Sequence, residues 1–214
     1  MSGKTPEYTC GVDRFFTEQE LASRIADWAG INEGELWLEP SCGDGSFVKE
    51  LLKRNARVRA VEVDLIISNK VNRDFKDDPN FIECINGDFM SFKMPDTLLS
   101  KPYKGALMNP PYGKRGNKKL GIEDSVGMAH DHVARALDFS ERVIALLPAS
   151  FIHGKQSEDL IFSRAHVTRK IELIRRPRFG GPDNKGVQAR RDYCVFEFVN
   201  GTVLGKCNIE TERW

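Results

Sequence analysis

Short apolar runs that stop at glycine, proline or an acid alternate along this chain with stretches whose apolar residues recur at helical spacing. That alternation predicts strands and helices in βαβ order, and hence an α/β fold with a parallel sheet covered on both faces. The first clear helix is expected over Thr17 to Gly30: Thr17 and Glu20 have capping-box spacing, Phe16 can staple onto Leu21, and Gly30 suits the carboxyl cap. Leu21, Ile25 and Trp28 share its apolar face. Leu36 to Pro40 reads as the first strand of the sheet, followed by the turn Ser41-Cys42-Gly43-Asp44-Gly45 and a helix with Phe47, Val48, Leu51 and Leu52 inward. Arg57 to Asp64 alternates into a second strand, with Asp64 also able to cap the segment Leu65 to Phe75. Phe81 to Asn86 and Lys101 to Met108 read as the third and fourth strands. A helix carrying Val126, Val133 and Leu137 comes next, then a fifth strand, Arg142 to Pro148, with Phe151 just beyond it. Two more strands, Lys170 to Arg176 and Asp192 to Val199, flank a glycine-rich loop. His130 and His132 lie two apart, cannot share a helix face, and read as surface residues rather than metal ligands.

The fourth strand ends in Asn109-Pro110-Pro111-Tyr112. Proline donates no hydrogen bond to a sheet ladder and restricts its predecessor, so the strand must stop there. In an open α/β sheet the carboxyl ends of the strands form the ligand-binding edge, so an amide, two rigid rings and a phenol face a cleft. The turn at Gly43 and Gly45 lies at the same edge, where backbone can approach a ligand closely.

With 214 residues, 40% apolar and 29% charged, the chain fits one globular domain over 1–214 without disorder. No apolar run is long enough for a membrane span, and the amino terminus lacks the apolar centre of a signal peptide, so a cytoplasmic location is expected. The five cysteines, Cys10, Cys42, Cys84, Cys194 and Cys207, have no Cys-x-x-Cys spacing and read as reduced thiols, without disulfides or a metal. Net charge is +1 but uneven: residues 1–100 carry 12 Lys and Arg against 18 Asp and Glu, whereas residues 101–214 carry 20 against 13. Ser163 to Arg191 alone holds nine basic residues and two acids, and Lys114, Arg115, Lys118 and Lys119 follow the Asn-Pro-Pro-Tyr turn. Such clustering fits a phosphate-backbone footprint, and equally a solvated face.

Asn-Pro-Pro-Tyr after an apolar strand resembles the catalytic motif of the class I S-adenosylmethionine-dependent amino-methyltransferases. Leu-Glu-Pro-Ser-Cys-Gly-Asp-Gly-Ser-Phe resembles the cofactor loop of the DNA adenine-N6 methyltransferases among them. The approach through Phe16-Thr17 resembles their amino-terminal aromatic-Phe-Thr-Pro motif, with Glu18 in place of the proline. Arg-Pro-Arg-Phe, a glycine loop and Asp-Tyr-Cys-Val-Phe-Glu-Phe resemble the sixth and seventh strands of phage and prophage members, so the resemblance runs from about Tyr8 to Val199.

The resemblance implies a single doubly wound Rossmann-like domain of seven strands, mostly parallel with the last antiparallel. It implies S-adenosyl-L-methionine as cofactor, lying over Glu39, Pro40, Ser41, Cys42 and Gly43, with Thr17 and Asn109 beside it. Glu62 would accept from the ribose hydroxyls, Asp88 from the cofactor's adenine amine, and Phe89 would pack on that ring. Asn109 and the Pro110 carbonyl would accept from the target amine, and Tyr112 and Phe179 would stack on the target base. Lys114, Arg115, Lys118, Lys119, Arg176 and Arg178 would contact phosphates. DNA is the expected partner, with RNA open and no membrane involved. Relaxed specificity is expected from the absence of a separate target-recognition domain, unless a partner subunit supplies recognition; a homodimer is also open. Protein glutamine-N5 methylation is disfavoured because fewer than forty residues precede the first strand, leaving no room for the amino-terminal helical domain usual in such relatives. An inactive cofactor-binding subunit is disfavoured by the intact Asn109 and Tyr112, and a hydride-transfer enzyme would leave the Asn-Pro-Pro-Tyr turn unexplained.

Overall fold

The computed structural model of the chain describes residues 16–91, 103–112, 127–180, 187–201 and 210–213. In chain order the strands are β1 (Phe16–Thr17), β2 (Leu36–Glu39), β3 (Arg57–Glu62), β4 (Phe81–Asn86), β5 (Gly105–Met108), β6 (Arg142–Pro148), β7 (Ala165–Glu172), β8 (Arg178–Gly180), β9 (Val187–Gln188), β10 (Tyr193–Asn200) and β11 (Glu210–Arg213). The helices are α1 (Gln19–Ala29), α2 (Ser46–Lys53), α3 (Leu65–Phe75) and α4 (Met128–Phe139), with short helical turns between residues 149 and 162. The main sheet runs β11-β7-β10-β6-β5-β2-β3-β4. β10, the last of the seven expected strands, is antiparallel to both its neighbours, and the other pairings are parallel.

Successive residues of the central strands alternate between two cores. Trp37, Leu107, Ile144 and Leu146 face α1, α2 and α3, whereas Leu38, Met108, Ala145 and Leu147 face α4 and the turns around Phe151 and Ile161. Burial on both faces is why these strands read as continuous apolar runs. Trp37 is fully buried, and a Cβ built on Gly105, its partner in the sheet, would lie 2.4 Å from the indole. Gly105→Ala is therefore expected to overpack this core at a cost of about 1–3 kcal/mol, measurable by urea denaturation.

A polar knot lies at the carboxyl end of α1. The buried Glu197 carboxylate on β10 accepts from Arg169 Nε at 2.8 Å, Arg142 at 3.1 Å and the Thr168 hydroxyl at 2.7 Å. Burial alone would raise its pKa, but the bonds from Arg169, Thr168 and Arg142 overcome this and hold it at about 2. The same guanidinium groups donate to the Trp28 and Gly30 carbonyls and lie over the Trp28 and Trp37 rings at 4.3 and 5.0 Å.

Several expectations need correction. Thr17 caps no helix: it pairs with Phe179 in a separate three-stranded sheet, β1-β8-β9, and α1 starts behind Glu18 without a side-chain cap. The strand expected over Lys170 to Arg176 occupies Ala165–Glu172, where Ala165, Val167 and Ile171 supply the buried positions. The fourth strand starts at Gly105, and β11 adds an eighth strand to the β7 edge. The histidines are not surface residues, because α4 packs on both β6 and residues 158–162. His132 is buried with Nδ1 on the Met128 carbonyl, and His130 stacks on Phe151 at 4.0 Å with Nε2 3.0 Å from Ser157 Oγ. Val126, Cys10 and Cys207 lie outside the described residues; Cys42, Cys84 and Cys194 are buried free thiols. Among the described residues no helix is long and apolar enough to cross a membrane.

Candidate active site

From β2 the chain steps outward through β3 to β4, then returns to lay β5 on the other side of β2. The carboxyl ends of β2 and β5 thus meet at the topological switch point, where open α/β sheets bind ligands. There Ser41 Oγ donates to the Asn109 backbone carbonyl at 3.4 Å, joining the glycine turn to the Asn-Pro-Pro-Tyr turn. An open pocket of about 240 Å³ lies between them, lined by Glu39, Ser41, Cys42, Gly43 and Asn109 together with Phe16 and Thr17 of β1.

The turn's shape follows from its glycines. Gly43 and Gly45 have φ of 52° and 86°, in the left-handed region that side chains disfavour. A Cβ on Gly43 would also sit 2.9 Å from the Phe16 ring, which closes over the turn from β1. Asp44 Oδ1 accepts from the Ser46 amide at 3.2 Å and its hydroxyl at 2.7 Å, steadying the start of α2.

Two carboxyls stand at neighbouring strand ends. Glu62 accepts from the backbone N–H groups of Gly43 and Asp64, each at 2.9 Å, so it fixes the turn as well as facing the edge. Burial raises its pKa, opposed by those amides. Glu39 is 1% exposed and accepts from the Ser41 amide at 3.2 Å. Burial, with the nearby Glu62 adding to it, pushes its carboxyl well above the usual range. Glu39 lines the pocket, and Glu62 stands beside it, holding the Gly43 amide.

Asn109 is held at three points. Its Nδ2 donates to Thr17 Oγ1 at 3.1 Å, its Oδ1 accepts from the Tyr112 hydroxyl, and its carbonyl takes the Ser41 bond. The Tyr112 hydroxyl also lies 2.7 Å from the Leu146 carbonyl, and burial raises the phenol's pKa well above its ordinary value. The Tyr112 ring meets Tyr193 edge-on at 5.4 Å and Phe179 at 6.4 Å. Phe179 is 3% exposed, so it backs Tyr112 within this cluster and offers no open face for a base. Pro110 is buried behind Asn109.

Asp88 is exposed at the end of β4, with Oδ1 on the Met90 amide, near Glu62 through the bond from Gly87 N–H to the Glu62 carbonyl. Phe89 is not brought to the pocket: its ring is buried against Phe139 and His132 in the α4 core. Pro40 follows β2 directly and is buried. Arg176 and Arg178 are exposed around the small sheet, Arg176 pairing with Asp192 at 3.0 Å. Lys114, Arg115, Lys118 and Lys119 lie outside the described residues. Phe16 belongs to the amino-terminal motif itself and lines the pocket, whereas Tyr193 backs Tyr112 from a position that its own motif marked only as a strand.

No family model matches the chain. A protein of Methanospirillum hungatei assigned as ribosomal RNA small subunit methyltransferase A is 30% identical over 133 residues, 61% of this chain and 49% of the relative. The type II methyltransferase M.CvrRI of Paramecium bursaria Chlorella virus XZ-6E is 26% identical over 215 residues, 92% of this chain and 54% of the relative. The chain thus spans about half the length of each. Among solved structures, a Pyrococcus horikoshii protein assigned as an RNA methyltransferase superposes with a TM-score of 0.67 at 17% identity, covering 94% of this chain and 91% of that one. Magnesium protoporphyrin IX methyltransferase of Synechocystis, solved with bound S-adenosylmethionine, gives 0.58 at 12% identity, covering 86% and 79%. The chain has the fold of the S-adenosylmethionine-dependent methyltransferases, and S-adenosyl-L-methionine is the cofactor that goes with it.

Proposed function

We propose that this chain transfers a methyl group from S-adenosyl-L-methionine to the exocyclic N6 amine of adenine in DNA. One observation carries the reading: Asn109, whose amide oxygen already accepts a hydrogen bond, is fastened by its own carbonyl to the cofactor turn. The bound cofactor supplies an electrophilic methyl group on sulfur. Asn109 Oδ1 and the Pro110 carbonyl accept from the target NH2, which turns the nitrogen lone pair toward that methyl. The methyl would pass to the amine nitrogen, and the amine's surplus proton would leave to solvent. No strong base is required, so positioning and electrostatics carry the rate. The Tyr112 hydroxyl holds the place of the target amine until the base displaces it. Glu62 takes the ribose hydroxyls, Glu39 the cationic end of the cofactor, and Asp88 the far end of the cofactor. The exposed arginines around β8 receive the phosphate backbone.

The alignment with the viral type II methyltransferase through 92% of the chain favours DNA. RNA is the second reading, favoured by the similarity to several ribosomal RNA methyltransferases. Incubation with radiolabelled cofactor and DNA, RNA or total protein, followed by digestion to single units, separates them. Label in N6-methyladenine from DNA is expected; label in RNA alone would select the second reading, and label in protein alone would refute both.

Glu62→Ala is expected to weaken S-adenosylmethionine binding by about 1.5–3 kcal/mol, the range for a lost hydrogen bond to a charged group. Calorimetry on the variant measures it, and unchanged affinity would leave Glu62 only the task of holding Gly43 and Asp64.

A further inference from the structure

After β7 the chain makes a bend, residues 173–177, before entering β8. At its tip Ile174 is 72% exposed, and an isolated exposed isoleucine would by itself signify nothing. Its surroundings are not ordinary surface. Arg175, Arg176 and Arg178 are exposed on the same bend and strand, and Arg190 and Arg191 are exposed on the neighbouring β9–β10 connection. The bend is also pinned to the active site. Leu173 N–H donates to the Tyr193 carbonyl at 3.2 Å, Ala189 N–H donates to the Pro177 carbonyl at 2.9 Å, and Arg176 pairs with Asp192. Tyr193 is the residue whose ring meets Tyr112 edge-on. The isoleucine therefore projects from a fixed support one residue away from a backbone bond to the aromatic cluster beside Asn109.

A duplex buries the adenine amine in its stack, so an enzyme acting on it must extrude the nucleotide and bear the cost of unstacking. Apolar side chains inserted at the vacated base step, flanked by basic groups on the phosphates, are a common physical solution. We infer that Ile174 is such a wedge: a positioning residue that fills the gap left in double-stranded DNA by the target adenine, while the surrounding arginines hold the backbone. The inference rests on the proposed reading of the site. Ile174 touches no reacting atom and acts by lowering the cost of extrusion, so its effect must depend on whether the substrate is stacked.

The test compares wild type, Ile174→Ser and Ile174→Leu on one adenine-containing sequence supplied as duplex and as single strand, with labelled S-adenosylmethionine. Ile174→Ser is expected to lower kcat/KM on the duplex tenfold or more and to leave the single strand within about twofold, with Ile174→Leu restoring most of the duplex activity. On a duplex with 2-aminopurine at the target, wild type should raise the fluorescence and Ile174→Ser should raise it less. Equal losses on both substrates, or no loss on the duplex, would overturn the wedge and leave the site's assignment intact. No label in either form from the wild-type chain would overturn the assignment and the wedge together.

Discussion

Asn109→Ala is expected to lower the turnover number for methyl transfer about a hundredfold or more, the scale seen when one preorganised hydrogen-bond partner is removed from a reacting centre. S-adenosylmethionine affinity should stay near the wild-type value. The bond from Ser41 to the turn uses the backbone carbonyl of residue 109, which alanine keeps, and the carboxylates of Glu39 and Glu62 are untouched. Single-turnover rates and calorimetry on the same preparation measure the two quantities. An unchanged rate would remove Asn109 from the chemistry, and a parallel loss of cofactor binding would make its role one of shaping the pocket.

Glu197→Ala is expected to destabilise the fold by roughly 3–5 kcal/mol, because it leaves the Arg142 and Arg169 guanidinium groups partly buried without their shared partner. The pH dependence follows from the direction of the shift. Glu197 titrates at about 2 in the folded chain against an ordinary 4.5, so its contribution is present in full above 4.5 and is lost as pH falls toward 2. At 1.36 kcal/mol per unit this is worth about 3 kcal/mol. Urea unfolding between pH 2 and 7 measures it: the wild type should lose stability through this window, and Glu197→Gln should lose less.

Arg142–Pro148, buried on both faces, lies where the apolar pattern puts it, as do the edge strand Phe81–Asn86 and α3 behind its Asp64 cap. Thr17 shows where local signals fail. Its capping spacing with Glu20 is real, but a pairing with Phe179, more than 150 residues away, takes the backbone into a strand. His130 and His132 fail for a related reason: residues 149–162 pack against α4 as well as β6 does, and helical periodicity cannot reveal that additional cover. The site's motifs were legible because each sits at a strand's carboxyl end, and the order β5-β2-β3-β4 gathers those ends along one edge. A motif gives Phe89's position along the chain but not the direction in which its ring turns, and the ring lies in the α4 core. Tyr193 was missed because its contact with Tyr112 depends on antiparallel pairing between β10 and β6, a feature of topology without a local trace.

On the proposed reading, the Tyr112 hydroxyl on Asn109 Oδ1 bears on which bases the pocket would tolerate. The one phenolic proton is shared between the Asn109 amide oxygen and the Leu146 carbonyl, so a target amine would enter by exchanging one donor for another. Guanine and hypoxanthine carry an oxygen where adenine carries NH2. Either would have to dislodge the phenol and then set oxygen against oxygen, stranding an acceptor at a cost of about 1–3 kcal/mol in addition to the repulsion. On the proposed reading, the resting arrangement of these two side chains, three residues apart, would disfavour 6-oxopurines.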